Sequence, residues 1–220
     1  MEAVRAVTGT AVPLDRSDVD TDQVIPSDWL KRVERTGFGR GLFGEWRDDR
    51  TFVLNQPEHA GATILVAGPN FGVGSSREHA VWALQDYGFQ AVVSPRFGDI
   101  FRSNATKGGL VPAEVDAAFG RALLDAVLAD AALEVTVDVE RLVVAAPAAG
   151  LEAPFGMDAF TQHRLVEGLD DVDLTLRHAA DIDAFESRRP AWLPKAAGTQ
   201  PPCLGSGQRR RTETRRHPAR

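Results

Sequence analysis

The chain has 220 residues, 43% hydrophobic and 25% charged, the composition of one globular domain with room for a sizeable core. No apolar run approaches the roughly 20 residues needed to cross a bilayer, and Met1-Glu2-Ala3-Val4-Arg5 lacks the pattern of a secretory signal, so a cytoplasmic protein without a membrane partner is expected. The net charge is −6, yet from Arg188 onward nine Lys or Arg face one acid, so the body carries −14 and is a poor nucleic-acid surface.

Residues 6–14 alternate and predict a first strand, closed by Pro13 and the polar Asp15-Arg16-Ser17-Asp18. Residues 19–26 (VDTDQVIP) read as a short strand or extended segment with its polar residues in the middle, and 29–33 as a short helix capped by Ser27 or Asp28. Four glycines between 37 and 44, with Phe38, Leu42 and Phe43 among them, predict a flexible loop with aromatic anchors. Residues 51–54 suit an edge strand and 63–67 a buried strand. A helix is expected over 79–87, then a strand over 91–94, the order of a crossover between parallel strands. Further along, a helix is expected over 99–107, a strand over 110–112 and an amphipathic helix over 115–129. Residues 133–139 and 141–145 alternate with period two as a hairpin-like unit. A strand over 151–155, a helix over 158–167 and a last helical turn over 182–187 complete the body, and no repeat is visible. Past Arg188 the sequence turns Pro-, Gly- and Arg-rich and loses apolar periodicity, which is expected of disorder.

Between the buried strand and the helix lies Asn70-Phe71-Gly72-Val73-Gly74-Ser75-Ser76-Arg77-Glu78-His79-Ala80. Such a turn aims backbone N–H groups, two hydroxyls and a guanidinium at one small volume, which suits a small anion. A dinucleotide fingerprint is disfavoured because Arg77 stands at the third glycine position and no acid ends the next strand, and the Gly-Lys-Ser/Thr of a P-loop is missing. The structural alternative is a tight turn with Ser75 or Ser76 as helix cap. His79 lacks a second ligand at useful spacing and reads as a hydrogen-bonded residue at a helix start. Trp29, Trp46 and Trp82 read as core or interface residues, while Arg102 and Asn104 either line the cleft or pack.

The segment 72–80 resembles the signature of the swivelling domain of the aconitase superfamily, and residues 1–194 resemble bacterial 3-isopropylmalate dehydratase small subunits. VDTDQVIP (19–26), LKRVERTGFGRGLF (30–43), WALQDYGF (82–89), FGDIFRSN (97–104) and GLDDVDLTL (168–176) carry the likeness in the same order. The resemblance implies an α/β swivelling domain of β/β/α type, like the aconitase C-terminal domain, with a mixed central sheet flanked by helices over 1–194. A basic tail, 195–220, follows it.

The implied activity is that of a hydro-lyase: dehydration of 2-isopropylmalate to isopropylmaleate, then rehydration to 3-isopropylmalate, in leucine biosynthesis. The implied partner is a large subunit that holds a [4Fe-4S] cluster on three cysteines. The single cysteine here, Cys203, allows neither that cluster nor an internal disulfide, so no cofactor and no metal is expected on this chain. By the same resemblance Ser75 is the catalytic base, acting as an alkoxide stabilised by the turn, and Asp22 orients a histidine of the large subunit. Arg77 holds a substrate carboxylate through its planar fork, with Ser76 and the Gly74 backbone as second contacts. Arg32 stands near a second substrate-binding arginine, with Lys31 and Arg35 as open alternatives and a solvated helix face as the plain reading. Asp20 is counted with the substrate-binding residues, against a reading of Asp20 and Asp22 as turn residues bonding their own backbone. The loop 36–43 is expected to touch the substrate's isopropyl group. Rival readings are a relative acting on homoaconitate or 2-methylmalate, a non-catalytic anion-binding module, and a protein that binds nucleic acid through its tail.

Overall fold

The computed structural model describes residues 1–31, 36–74, 78–190 and 192–193, in two compact units, Met1–Arg177 and His178–Arg220. The first unit is built on one seven-stranded sheet in the order β4-β3-β2-β1-β5-β6-β7. The long strand β1 (Ala6–Leu14) sits at its centre because it pairs in two ways. Its C-terminal half runs parallel to β2 (Ile64–Ala67), Ala11 facing Ile64 and Leu14 facing Ala67. Its N-terminal half runs antiparallel to β5 (Glu134–Asp138), Ala6 facing Asp138 and Thr10 facing Glu134.

A very short helix, α1 (Thr21–Val24), follows β1, where an extended segment was expected. Asp20 overrides the β-like composition through a capping box: its carboxylate accepts from a backbone N–H of the first turn, and the Gln23 side chain accepts from the Asp20 N–H. A 3-10 helix, Ser27–Lys31, comes next. The glycine-rich stretch is a 3-10 helix (Phe38–Gly41) and then α2 (Gly44–Arg47), and it is not a loose loop. Phe38, Leu42 and Phe43 are wholly buried, and Phe43 stacks on Trp46 at 5.2 Å. These side chains are therefore core, and none of them is an open wall for an alkyl group. The expected edge strand at 51–54 is instead turn and a 3-10 helix, Val53–Asn55. Asp49 bonds the N–H and hydroxyl of Thr51, and the Asn55 amide bonds two carbonyls, which satisfies this backbone locally without a strand partner.

The parallel half continues with α3 (Glu78–Tyr87), β3 (Ala91–Ser94), α4 (Asp99–Gly108), β4 (Val111–Glu114) and α5 (Ala117–Ala129). Strands β2 and β3 are buried at every position because helices cover both faces of the sheet. Alternation shows in the two cores: Leu65 and Ala67 join α3 and α4, whereas Ile64 and Val66 join α5 and the antiparallel strands. Each such buried Ile, Leu or Val contributes about 1.5–3 kcal/mol by transfer alone.

The antiparallel half is a meander of β5, β6 (Val143–Ala146) and β7 (Leu151–Pro154), followed by α6 (Ala159–Glu167) and α7 (Asp171–Leu176). Beyond β7, Gly156 donates its N–H to the Glu114 carbonyl at 3.2 Å, so the two ends of the sheet meet at a seam. In the second unit, α8 (Ala179–Ser187) is closed by Ser187 and Arg188 side chains, both bonding the Ala184 carbonyl.

Candidate functional site

The C-terminal ends of β1, β2 and β3 lead into three segments that continue the sheet as a small ladder. Asp20 bridges Val73, and Phe71 bridges Phe97, both in parallel sense. The Val19 carbonyl accepts from Gly72 N–H at 2.8 Å and Val73 N–H at 3.1 Å, and Thr21 N–H returns to the Val73 carbonyl at 3.1 Å. On the other side Phe71 N–H meets the Arg96 carbonyl and Gly98 N–H the Phe71 carbonyl, both at 3.0 Å. The first half of the glycine turn is thus bridged on both edges. Crevices at the carboxyl ends of parallel strands are where open α/β sheets place their ligands.

Two glycines are required by this geometry. Gly72 (φ 74°) faces the ring of Phe101, and a Cβ there would enter it. Gly74 (φ 85°) lies against the carboxylate of Asp20, which occupies the space a side chain would take. Ser75, Ser76, Arg77, Arg32 and Arg35 lie outside the described residues. What the structure brings together is Asp20 and Gly74, at the threshold of that serine pair.

Asp20 has its carboxylate engaged: Oδ1 accepts from Asp22 N–H at 2.7 Å and Oδ2 abuts Gly74. This organises backbone, as the turn-residue alternative had it. Asp22 lies two residues on, in the first turn of α1, on the same segment. Lys31 pairs with Asp28 at 3.0 Å on an exposed 3-10 helix. Asp18, Asp20 and Asp22 make this ledge acidic.

Helix α3 carries the turn at its N-terminal end. His79 packs its ring on Trp82 (4.7 Å between centroids) and Phe38 (5.4 Å). Its Nδ1 is buried with no hydrogen-bond partner among the described residues, and its ring belongs to this aromatic cluster. Arg102 pairs with Glu114 at 3.4 Å and, with Lys107 and Arg164, lines a cleft of about 250 Å³ that includes none of the described residues of the turn. Trp29, Trp46 and Trp82 are partly buried against the core.

Reading by residue type assigned no role to three neighbours of the turn. Thr21 is buried, and its hydroxyl has no partner among the described residues. Asp18 and Asn70 both adopt positive φ and bond each other at 2.6 Å. The available signal was that Asn and Asp are the residues that tolerate such backbone.

A model of the Aconitase C-terminal domain matches residues 1–118, and one of the C-terminal domain of the 3-isopropylmalate dehydratase small subunit matches residues 171–199. A 3-isopropylmalate dehydratase small subunit of Parafrankia sp. is 64% identical over 197 residues, covering 90% of this chain and 100% of the relative. Its counterpart from Rubrobacter xylanophilus is 58% identical over 195 residues, covering 89% and 99%. Among solved structures, 3-isopropylmalate dehydratase from Methanocaldococcus jannaschii superposes with a TM-score of 0.62 at 24% identity, covering 81% of this chain and 99% of that one, a likeness of fold. A sheet of this topology, with the glycine turn at its parallel end and such identity across the full length of the relatives, has one classification: the chain belongs to the family of 3-isopropylmalate dehydratase small subunits, with the fold of the aconitase C-terminal domain.

Proposed function

We infer that this chain works with a large subunit as a hydro-lyase, interconverting 2-isopropylmalate and 3-isopropylmalate in leucine biosynthesis. The observation that carries the reading is the 64% identity over the whole length of a relative of that name. The substrate loses a carbon-bound proton and a hydroxyl as water, passes through isopropylmaleate, and regains water with the opposite placement. The family's [4Fe-4S] cluster needs three thiolates, whereas this chain has one cysteine, Cys203, and no group able to hold a metal among its described residues. Its own residues do not fit the cluster, which we assign to the large subunit.

On this reading Ser75 takes the carbon-bound proton and returns it on rehydration. Its alkoxide needs stabilisation from the turn's N–H groups, the α3 N-terminus and Arg77. Arg77 clamps one substrate carboxylate, with Ser76 and the Gly74 backbone beside it, and Arg32 reaches the other. Asp22 orients a histidine of the large subunit. The bond between Asp20 and the first turn of α1 supports that placement, since it fixes the segment carrying Asp22.

Co-purification with the large subunit and assay on 2-isopropylmalate and its shorter homologues tests the function. Ser75→Ala is expected to lower kcat by about 10²–10⁴-fold, the usual worth of a positioned acid–base group, while the complex still forms. Unchanged turnover in that variant would remove Ser75 as base. Arg77→Lys is expected to raise KM and lower kcat together, since a single ammonium does not reproduce the bidentate fork.

A further inference from the structure

Four non-glycine residues adopt positive φ among the described residues, and two of them, Asp18 (55°) and Asn70 (61°), are joined to each other. Asn70 Nδ2 donates to Asp18 Oδ1 at 2.6 Å, and Asp18 N–H donates to the carbonyl of Pro69 at 2.9 Å. Left-handed backbone is unfavourable even for Asn and Asp and persists where surrounding structure enforces it. Asp18 is exposed and Asn70 half-buried, and the bond between them lies in an exposed position, so it is not there to satisfy deeply buried polar atoms and its contribution to stability is small. Position along the chain explains the pair better. Immediately beyond it the two segments zip together through Val19 with Gly72 and Val73, then Val73 with Thr21, and end where Asp20 meets Gly74.

We propose that Asp18 and Asn70 form a register lock, and are positioning residues for the catalytic turn. The lock closes the ladder at its open end and sets which residue of the 18–22 segment lies beside which residue of the turn. A slip of one residue would carry Asp20 off Gly74 and shift α1, with Asp22, along the turn. The pair touches no reacting atom and acts through the turn that presents Ser75. This rests on the reading of the turn as one wall of a dehydratase site, so its test carries one readout of activity and one that is independent of it.

The full chain is reconstituted with its large subunit and assayed on 2-isopropylmalate, with Asn70→Ala, Asp18→Ala and the reciprocal pair Asp18→Asn with Asn70→Asp. The singles are expected to lose about 10- to 100-fold in kcat, the usual effect of sub-ångström to ångström misplacement, with KM within about twofold and the complex intact. The reciprocal pair rebuilds the bond with donor and acceptor exchanged, on residues that both tolerate left-handed backbone, and is expected to restore kcat to within about threefold. A purely structural pair would change melting temperature and leave kcat of the folded enzyme alone.

In parallel, hydrogen exchange on the chain by itself follows the amides of Thr21, Gly72 and Val73, which Asn70→Ala is expected to deprotect while those of β1 to β3 stay protected. Singles with kcat within twofold of wild type, failure of the reciprocal pair to recover it, or unchanged protection of these amides each overturns the lock. An inactive wild-type complex condemns the dehydratase reading instead, and the exchange result then decides the lock by itself.

Discussion

At the scale of single residues, Asp20 tests whether a carboxylate beside a site serves substrate or backbone. Its Oδ1 caps α1 and its Oδ2 fills the space that Gly74 leaves open. A dicarboxylate gains nothing from a third carboxylate at that distance unless a cation lies between them. Asp20→Asn keeps an oxygen for the cap, and Asn caps as well as Asp. That variant is expected to melt close to wild type and to retain most of its activity. Asp20→Ala removes the cap and is expected to cost about 0.5–2 kcal/mol, measured by denaturant unfolding, with a parallel fall in kcat as α1 loosens beside the turn. An Asp20→Asn enzyme that folds normally yet is inactive would return Asp20 to the substrate-binding set.

At the scale of elements, the contact between the Phe38–Gly41 helix and α3 shows how the scaffold holds the turn. Gly39 N–H donates to Asp86 Oδ2 at 2.9 Å, and a Cβ on Gly39 would stand 2.8 Å from Tyr87 N and 2.9 Å from Asp86 C, both of them backbone atoms. Backbone yields less readily than a side-chain tip, so Gly39→Ala is expected to cost about 1–3 kcal/mol, a fall in Tm of roughly 3–10 °C. Because this contact exists within the single chain, hydrogen exchange at 37–44 is expected to be slow without the large subunit. Fast exchange that slows only on assembly would show that the partner orders this stretch.

The caps of α6 and α7 carry a pH signature. The Thr161 backbone N–H, and then its hydroxyl, hold Asp158 below its ordinary value of 3.8, and the Asp173 backbone N–H does the same for Asp170, aided by the N-terminal ammonium. A carboxyl whose pKa is lower in the folded state binds fewer protons there than when unfolded. Its stabilisation is therefore complete above 3.8 and is lost as pH falls through the depressed folded values. Both groups are exposed, so the effect is a local fraying and not a global transition. Amide exchange at Thr161, Val172 and Asp173 is expected to quicken below that pH, and Asp158→Asn to remove the pH dependence at Thr161 alone. Fraying that begins near neutrality would point to another group.

At the scale of the whole molecule, the parallel half of the sheet was legible because each strand there is a short apolar run beside an amphipathic helix, as 63–67 and 79–87 show. What was not legible depends on partners distant in sequence. The seam between Glu114 and Gly156 joins residues whose own neighbourhoods say nothing of each other. The segment 19–26 carries β-like side chains but is turned into a helix by one capping box. In the site, residue types pointed to the serines and arginines, whereas the Asp18–Asn70 pair needed its backbone angles to be seen.

The basic tail belongs to this scale too, because only its charge can act on the rest by general principle. The segment 200–220 holds six Arg and one Glu, a charge of +5, so a chain ending at Thr199 changes from −6 to −11. Thr199 is also the last residue that the small-subunit model matches. Charges that act only through the field are screened beyond about 8 Å at physiological salt and reach about 30 Å at 0.01 M. Removal of 200–220 is therefore expected to leave kcat, KM and assembly unchanged at roughly 0.15 M salt. At about 0.01 M salt KM for the dicarboxylate is expected to rise modestly, because a more acidic protein repels it over the longer screening length. A KM that shifts equally at both salt concentrations would mean that the tail touches the substrate or the partner. Salt-sensitive nucleic-acid binding lost on the same truncation would give the tail a function separate from the site.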